Sequence, residues 1–269
     1  MAALWQLTSV QLDLVWESLG LGAYPYPFQV RSHGATLEER KHLRQQVFAQ
    51  LAASGLARGE QLHDELVQAL RVLARPGLWL DLVWMPSSAV SPTRVLAIRW
   101  GQGTLLAVQQ PGETEHTGGD LSLQLLPDGD LGRVVIAQLP ANRPGSSRGA
   151  RLPASAFQPS AARAYADDDD YSVLEPRGRS QEEQERRAFE EIMNRPRAAG
   201  GQLGANYTDP SGRRHRSPVL NWFDLEGDGR YLLYSEPGPA RQPWLTLSPA
   251  DPARLHARLT TMIGNVVAG

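Results

Sequence analysis

Apolar positions along the chain change period near residue 79, from the three-to-four spacing of helices to the alternation of strands. Before that point three amphipathic helices are predicted. Thr8-Ser9-Val10-Gln11 is a capping box leading into Val10, Leu12, Leu14, Val15, Trp16 and Leu19, with Gly20 as the stop. Thr36-Leu37-Glu38-Glu39 is a second capping box, followed by Leu43, Val47, Phe48 and Leu51 and ended by Gly55. Leu62, Leu66, Leu70 and Leu73 form a third stripe, closed by Pro76. Between the first two helices, Tyr24-Pro25-Tyr26-Pro27-Phe28 is expected to be extended, because proline disfavours the helical region for the residue before it.

From Trp79 the alternation predicts strands over 79–85, 94–100, 104–110 and 121–126, an antiparallel meander whose middle pair turns at Gly101-Gln102-Gly103. A turn at Pro127-Asp128-Gly129 leads to a short helix over 130–139, then to a breaker-rich stretch, 140–149. Residues 158–180, with the run Asp167-Asp168-Asp169-Asp170, hold little to bury and read as a flexible linker. Ser180 is expected to cap a charged helix over 181–194. After Gly200-Gly201 come a strand over 202–208 and the turn Asp209-Pro210-Ser211-Gly212. The segment 219–236 is a strong hairpin signal, two aromatic-rich runs around Glu226-Gly227-Asp228-Gly229. Its first strand is apolar on both sides, with Val219, Phe223 and Leu225 on one and Leu220 and Trp222 on the other. Such a strand must be covered twice, by the protein's own helices or by a partner. A last strand at 244–247 and an amphipathic helix from Ser248 to Val267, with Leu255, Leu259, Met262, Ile263 and Val266, close the chain.

The order helix, strands, helix thus occurs twice, and the class is α+β, with two similar halves sharing one antiparallel sheet. The halves are 1–157 and 181–269, joined by 158–180 into one integrated domain.

Composition narrows the function classes. The 269 residues contain no cysteine, which removes disulfides, thiolate zinc sites and cysteine nucleophiles. With 27 basic and 29 acidic residues the net charge is −2, so no long-range attraction to nucleic acid or anionic membranes is expected. No apolar run reaches the ~20 residues of a membrane span, and the N-terminus lacks the basic region of a secretion signal, so a cytoplasmic protein is expected. Lys41 is the only lysine, a bias that points to a GC-rich genome.

Candidate chemistry is sparse. Gly145-Ser146-Ser147-Arg148-Gly149 matches G-x-S-x-G, but a nucleophile elbow needs a buried strand before the serine and a helix after it. Prolines stand on both sides instead, and a surface turn is the plainer reading. The six histidines never take zinc-ligand spacing, and His33 and His63 fall where solvated or capping roles are ordinary. The aspartate run lacks the glycine and terminal glutamate of a calcium loop. Arg213-Arg214-His215-Arg216 reads as a solvated strand edge. No cofactor or metal is called for. What remains is surface: Trp222, Tyr231 and Leu233 on the hairpin, extended by Met262 and Val266 on the last helix, are either core or anchors for a protein partner.

The opening LTSVQLDLVWESLGLGAYPYPFQVRSHGATLEER resembles the start of the EspG family, the cytosolic chaperones of mycobacterial and related actinobacterial type VII (ESX) secretion systems. ALRVLARPGLWLDL, GGQLGANYTDPSGRRHRSPVLNWFDLEGDGRYLL and LTLSPADPARLHARLTTMI are similar to it in the same order. The resemblance implies a quasi-two-fold α+β protein with a central antiparallel sheet and two helical bundles, non-enzymatic, that recognises the exposed helical tip of the PPE subunit in PE–PPE dimers and keeps that secretion substrate soluble. It further implies a recognition surface formed by the central sheet and the C-terminal bundle, including the 219–236 hairpin. Whether such a protein is a monomer or a dimer is open. Two other readings stand beside it: a serine hydrolase using Ser147 with His215 or His256, and a scaffold that self-associates through the same sheet.

Overall fold

Two threonines open the helical part as their spacing implies. In the computed structural model, which describes residues 4–157, 181–238 and 242–269, Thr8 and Thr36 each accept an N3 backbone N–H, while Gln11 and Glu39 reach back to the cap. A strand, β1 (Leu4–Leu7), precedes the first helix, α1 (Ser9–Ser18), and α2 (Leu37–Ala53) follows. A two-strand ribbon, β2 (Ala57–Arg58) and β3 (Gln61–Leu62), leads to α3 (Asp64–Ala74). Strands of two to four residues carry too few alternations to announce themselves in sequence. The 24–28 segment turns instead of extending: the Phe28 N–H donates to the Pro25 carbonyl at 3.0 Å, across a cis Tyr26–Pro27 peptide. Proline restricts its predecessor's backbone but leaves the isomer of the bond open.

The predicted meander is present as β4 (Leu78–Pro86), β5 (Thr93–Trp100), β6 (Gly103–Pro111) and β7 (Gly118–Leu126), then α4 (Leu131–Ile136) capped by Asp130. The breaker-rich stretch ends in an unpredicted strand, β8 (Ala150–Pro153). Next come α5 (Gln181–Met193), β9 (Arg197–Thr208), β10 (Arg214–Arg216), the hairpin β11 (Leu220–Leu225) and β12 (Arg230–Pro237), β13 (Pro243–Pro249), and α6 (Pro252–Ala268). Asp251, not Ser248, caps α6, and Ser248 lies in β13. The linker expected over 158–180 and the cap expected at Ser180 fall outside the described residues.

These strands form one antiparallel sheet in the order β1-β7-β6-β5-β4-β9-β11-β12-β13-β8, with β10 also on β9. The fold is α+β. β9 begins earlier than predicted and runs straight through Gly200-Gly201. The reason is packing: a Cβ on Gly201 would stand 2.7 Å from the Trp84 Cβ and 2.9 Å from the Trp222 indole nitrogen. A glycine pair that reads as a breaker here lets two tryptophans close over a strand.

Directly paired residues share a sheet face, so the registers sort the layers. One face carries Trp79, Leu96, Ile98, Leu105 and Leu121 under α1–α3 at the N-terminal end. At its other end Phe223, Tyr231 and Leu247 lie under Phe189 and Ile192 of α5. The opposite face packs Leu80, Leu82, Leu203, Leu220, Trp222 and Leu232 against α4 and α6. The Phe223–Leu225 end of β11 is therefore covered on both faces by the protein's own helices, while Asn221 at its start is only half-buried.

Candidate functional site

Because α1–α3 and α5 stand at opposite ends of the first face, the described residues leave the middle of that face open. The register line Arg94–Val83–Gln202–Asn221–Leu233 crosses the gap from β5 to β12. Val83, Asn221 and Leu233 are half-buried and Gln202 is exposed. Met85 on β4, with Met193 and Arg197 where α5 passes into β9, completes a cleft of about 490 Å3. Its apolar walls are Met85, Met193 and Leu233, and Gly200 lies on its floor. A Cβ on Gly200 would meet only ordinary contacts, 3.4 Å to the Trp222 carbonyl and 3.5 Å to the Phe223 Cβ. Packing therefore does not demand glycine at this spot; its absence of side chain deepens the cleft.

The rim is polar. The Arg197 guanidinium lies 4.5 Å from the centroid of the Phe223 ring, donates to the Met193 sulfur at 3.8 Å, and has no ion-pair partner among the described residues. Beyond Val83, Arg216 reaches from β10 across Gly204 to donate to both Asp81 oxygens, at 2.7 and 3.1 Å, while Asn206 donates to Asp81 at 2.6 Å. A Cβ on Gly204 would come within 2.8 Å of that guanidinium, so glycine makes the crossing possible. Burial raises the Asp81 carboxyl against the lowering pull of Arg216 and Asn206. Arg216 also stacks at 5.2 Å over the exposed Tyr26 ring. The basic cluster is thus tied to the sheet more closely than a solvated edge: Arg214 lies over Trp79, and His215 meets Asp209 at 3.2 Å.

The five residues singled out from sequence divide sharply. Trp222 is 1% exposed and Tyr231 0%, and Met262 and Val266 are buried as well. In this structure these four are core side chains, because the faces their spacing placed them on are sealed by α5 and α6. Leu233 is the one of the five left half-buried at the open cleft, whose lining Trp222 joins only as a buried residue. Tyr231 is held by its polar tip, donating to Asp228 at 2.8 Å and accepting the Ser147 backbone N–H at 2.9 Å. Asp228 also accepts the Ser146 N–H and the Arg195 guanidinium, each at 2.8 Å. Burial pushes the Asp228 carboxyl upward, but the Ser146 N–H, the Tyr231 hydroxyl and Arg195 outweigh it and hold the group down at about 2. This node pins the 140–149 segment onto the hairpin.

Ser147 accordingly sits in a turn whose backbone is anchored to the hairpin, and both proposed histidine partners are engaged elsewhere: His256 with Asp130 at 2.7 Å, His215 with Asp209. His33 is buried rather than solvated, with Nδ1 at 3.2 Å from Asp13 and Arg40 closing the cluster. His63 occupies the cap position of α3 without a side-chain capping bond. Among the described residues no group of three or more His, Asp or Glu is placed to hold a metal ion. None of their helices is long and apolar enough to cross a membrane. Sequence reasoning missed Met85, Met193, Arg197, Gln202 and Asn221, which lie on four different elements. The one signal available was the run of polar residues, Gln202 and Asn221, at central positions of otherwise apolar strands.

Comparisons with known proteins agree with this architecture. The sequence matches none of the curated proteins it was compared with. Among solved structures, a similar chain is that titled "Structure of the Mycobacterium tuberculosis type VII secretion system chaperone EspG5 in complex with PE25-PPE41 dimer". It shares 15% identity at a TM-score of 0.66, over 98% of this chain and 96% of that one, which shows a common fold. The family description "EspG family" matches residues 8–261. With that match spanning nearly the whole sequence, the chain belongs to the EspG family.

Proposed function

We propose that this protein is a cytosolic, non-enzymatic chaperone of a type VII secretion system that binds a PE–PPE-type substrate and keeps it soluble. The observation that carries this reading is the open middle of the sheet, an apolar cleft left between α1–α3 and α5 in a family member that shares its fold with EspG5. An exposed helical tip would aggregate alone, and a concave apolar surface with a polar rim suits it. Leu233, Met85 and Met193 are the direct apolar contacts. Trp222, Met262 and Val266 serve from the opposite face, and Tyr231 from under α5, by holding the strands that shape the cleft. The two halves, 1–157 and 181–269, act as one integrated domain with 158–180 between them, and β8 crosses from the first to pair with β13 of the second.

Co-expression with each PE–PPE pair of the same genome should yield one pair that co-elutes with this chain. Gly200→Phe, which fills the cleft from a floor position with free space above it, should abolish that complex while leaving the unfolding midpoint close to wild type. Failure of every pair to co-elute overturns the chaperone reading; an unaffected complex with Gly200→Phe removes the cleft from it.

A further inference from the structure

Gln202 on β9 and Asn221 on β11 are direct cross-strand partners on the floor of the cleft. Amide side chains so placed in the middle of a large sheet ordinarily bond each other or a covering element. Here neither amide makes a hydrogen bond within the described residues, Gln202 is exposed, and Asn221 is half-buried. Beside them stands the Arg197 guanidinium, exposed and held over Phe223. Among the described residues no carboxylate lines the cleft. Among the described residues these three groups, with the Ser87 hydroxyl at the edge, can donate around the apolar patch formed by Met85, Met193 and Leu233, with one positive charge and no negative one.

We propose that Gln202, Asn221 and Arg197 are specificity-determining residues that receive the C-terminal end of a partner helix. The inference rests on the chaperone reading above and names what that site reads. The last turn of any helix leaves up to four backbone carbonyls without an intrahelical donor, and the helix dipole places partial negative charge there. An N-terminal helix end presents N–H groups and partial positive charge, and suits a carboxylate-lined site. A cleft with amide donors, a guanidinium and no acid fits the carbonyl end. Met85, Met193 and Leu233 then take the apolar side chain that closes such a turn. Because backbone carbonyls are common to all helix ends, these contacts select a shape and a polarity, and the apolar wall selects the side chain.

The test uses the intact chain and the purified PE–PPE pair that co-elutes with it. Gln202→Glu and Asn221→Asp, made singly, keep side-chain shape but replace a donor with an acceptor-only carboxylate. Each should weaken binding by about 30-fold or more, since a hydrogen bond is lost and a charge faces carbonyl oxygens. Arg197→Gln should weaken it by several-fold, with a shallower dependence on salt. Unfolding midpoints should stay near wild type, because none of the three side chains is packed in the core. Unchanged affinity in both amide variants overturns the proposal. Tighter binding by them also overturns it, by assigning the cleft to an N-terminal helix end. If Gly200→Phe abolishes the complex while the amide variants bind normally, the cleft reading survives and this inference alone is lost.

Discussion

Replacing Trp222 with alanine separates core from contact most directly. Its side chain is 1% exposed, packs 6.4 Å from the Trp84 ring, and carries the Arg230 guanidinium 4.6 Å above its centroid. Arg230 is itself buried and fork-bonded to Asp224 at 2.8 and 2.9 Å, so truncation would strip its ring partner without freeing it to solvent. Trp→Ala in a core costs about 3–5 kcal/mol from lost transfer energy and the cavity left behind. Loss of a desolvated cation–π contact adds up to about 2 kcal/mol, which places Trp222→Ala at the upper end. With a urea slope of about 3 kcal/mol/M, the unfolding midpoint should fall by about 1.7 M. Trp222→Phe should behave differently. The indole Nε1 is buried with no acceptor among the described residues, so removing it offsets part of the lost volume, and the cost should stay below about 1.5 kcal/mol. Urea titration followed by far-UV circular dichroism reads both variants. An alanine variant with a wild-type midpoint that fails only to bind its partner would refute the reasoning, and would make Trp222 an interface anchor.

Two further outcomes follow from the hairpin node. Asp228 is held at about 2, below the ~3.9 of an unfolded aspartate, so its contribution to stability is complete above about pH 4 and drains away as pH falls toward 2. The gap in thermal midpoint between wild type and Asp228→Asn should therefore be constant from pH 7 to 5 and shrink below pH 4; a gap that widens on acidification contradicts the assignment. At Gly145 a Cβ would fall inside the Tyr231 ring, which is stacked on Phe223 and has nowhere to go. Gly145→Ala should cost about 2 kcal/mol or more in a denaturant titration, and a neutral result would show that the 140–149 segment is not seated on the ring.

Local chemistry made much of the architecture legible beforehand. The two capping boxes, the meander from Trp79 and the 219–236 hairpin each depend on neighbours within a few residues, and each stands where its spacing placed it. The α+β class followed from the order of those periods. Strands β1 and β8 did not, because they owe their existence to the distant partners β7 and β13 and not to their own few side chains, and the local β2–β3 ribbon is too short to show alternation. β9 was cut short for the same reason: Gly200-Gly201 carries no periodicity, and only the two tryptophans beside it explain why the strand continues.

The candidate site shows the limit most clearly. Sequence identified which side chains are apolar and aromatic, but whether Trp222, Tyr231, Met262 and Val266 face a partner or a helix depends on where α5 and α6 lie, which no local pattern encodes. The cleft is the space between covering layers, and its walls come from β4, α5, β9, β11 and β12. Alternation along a strand says which residues share a face; only long-range packing decides how much of that face the chain covers for itself.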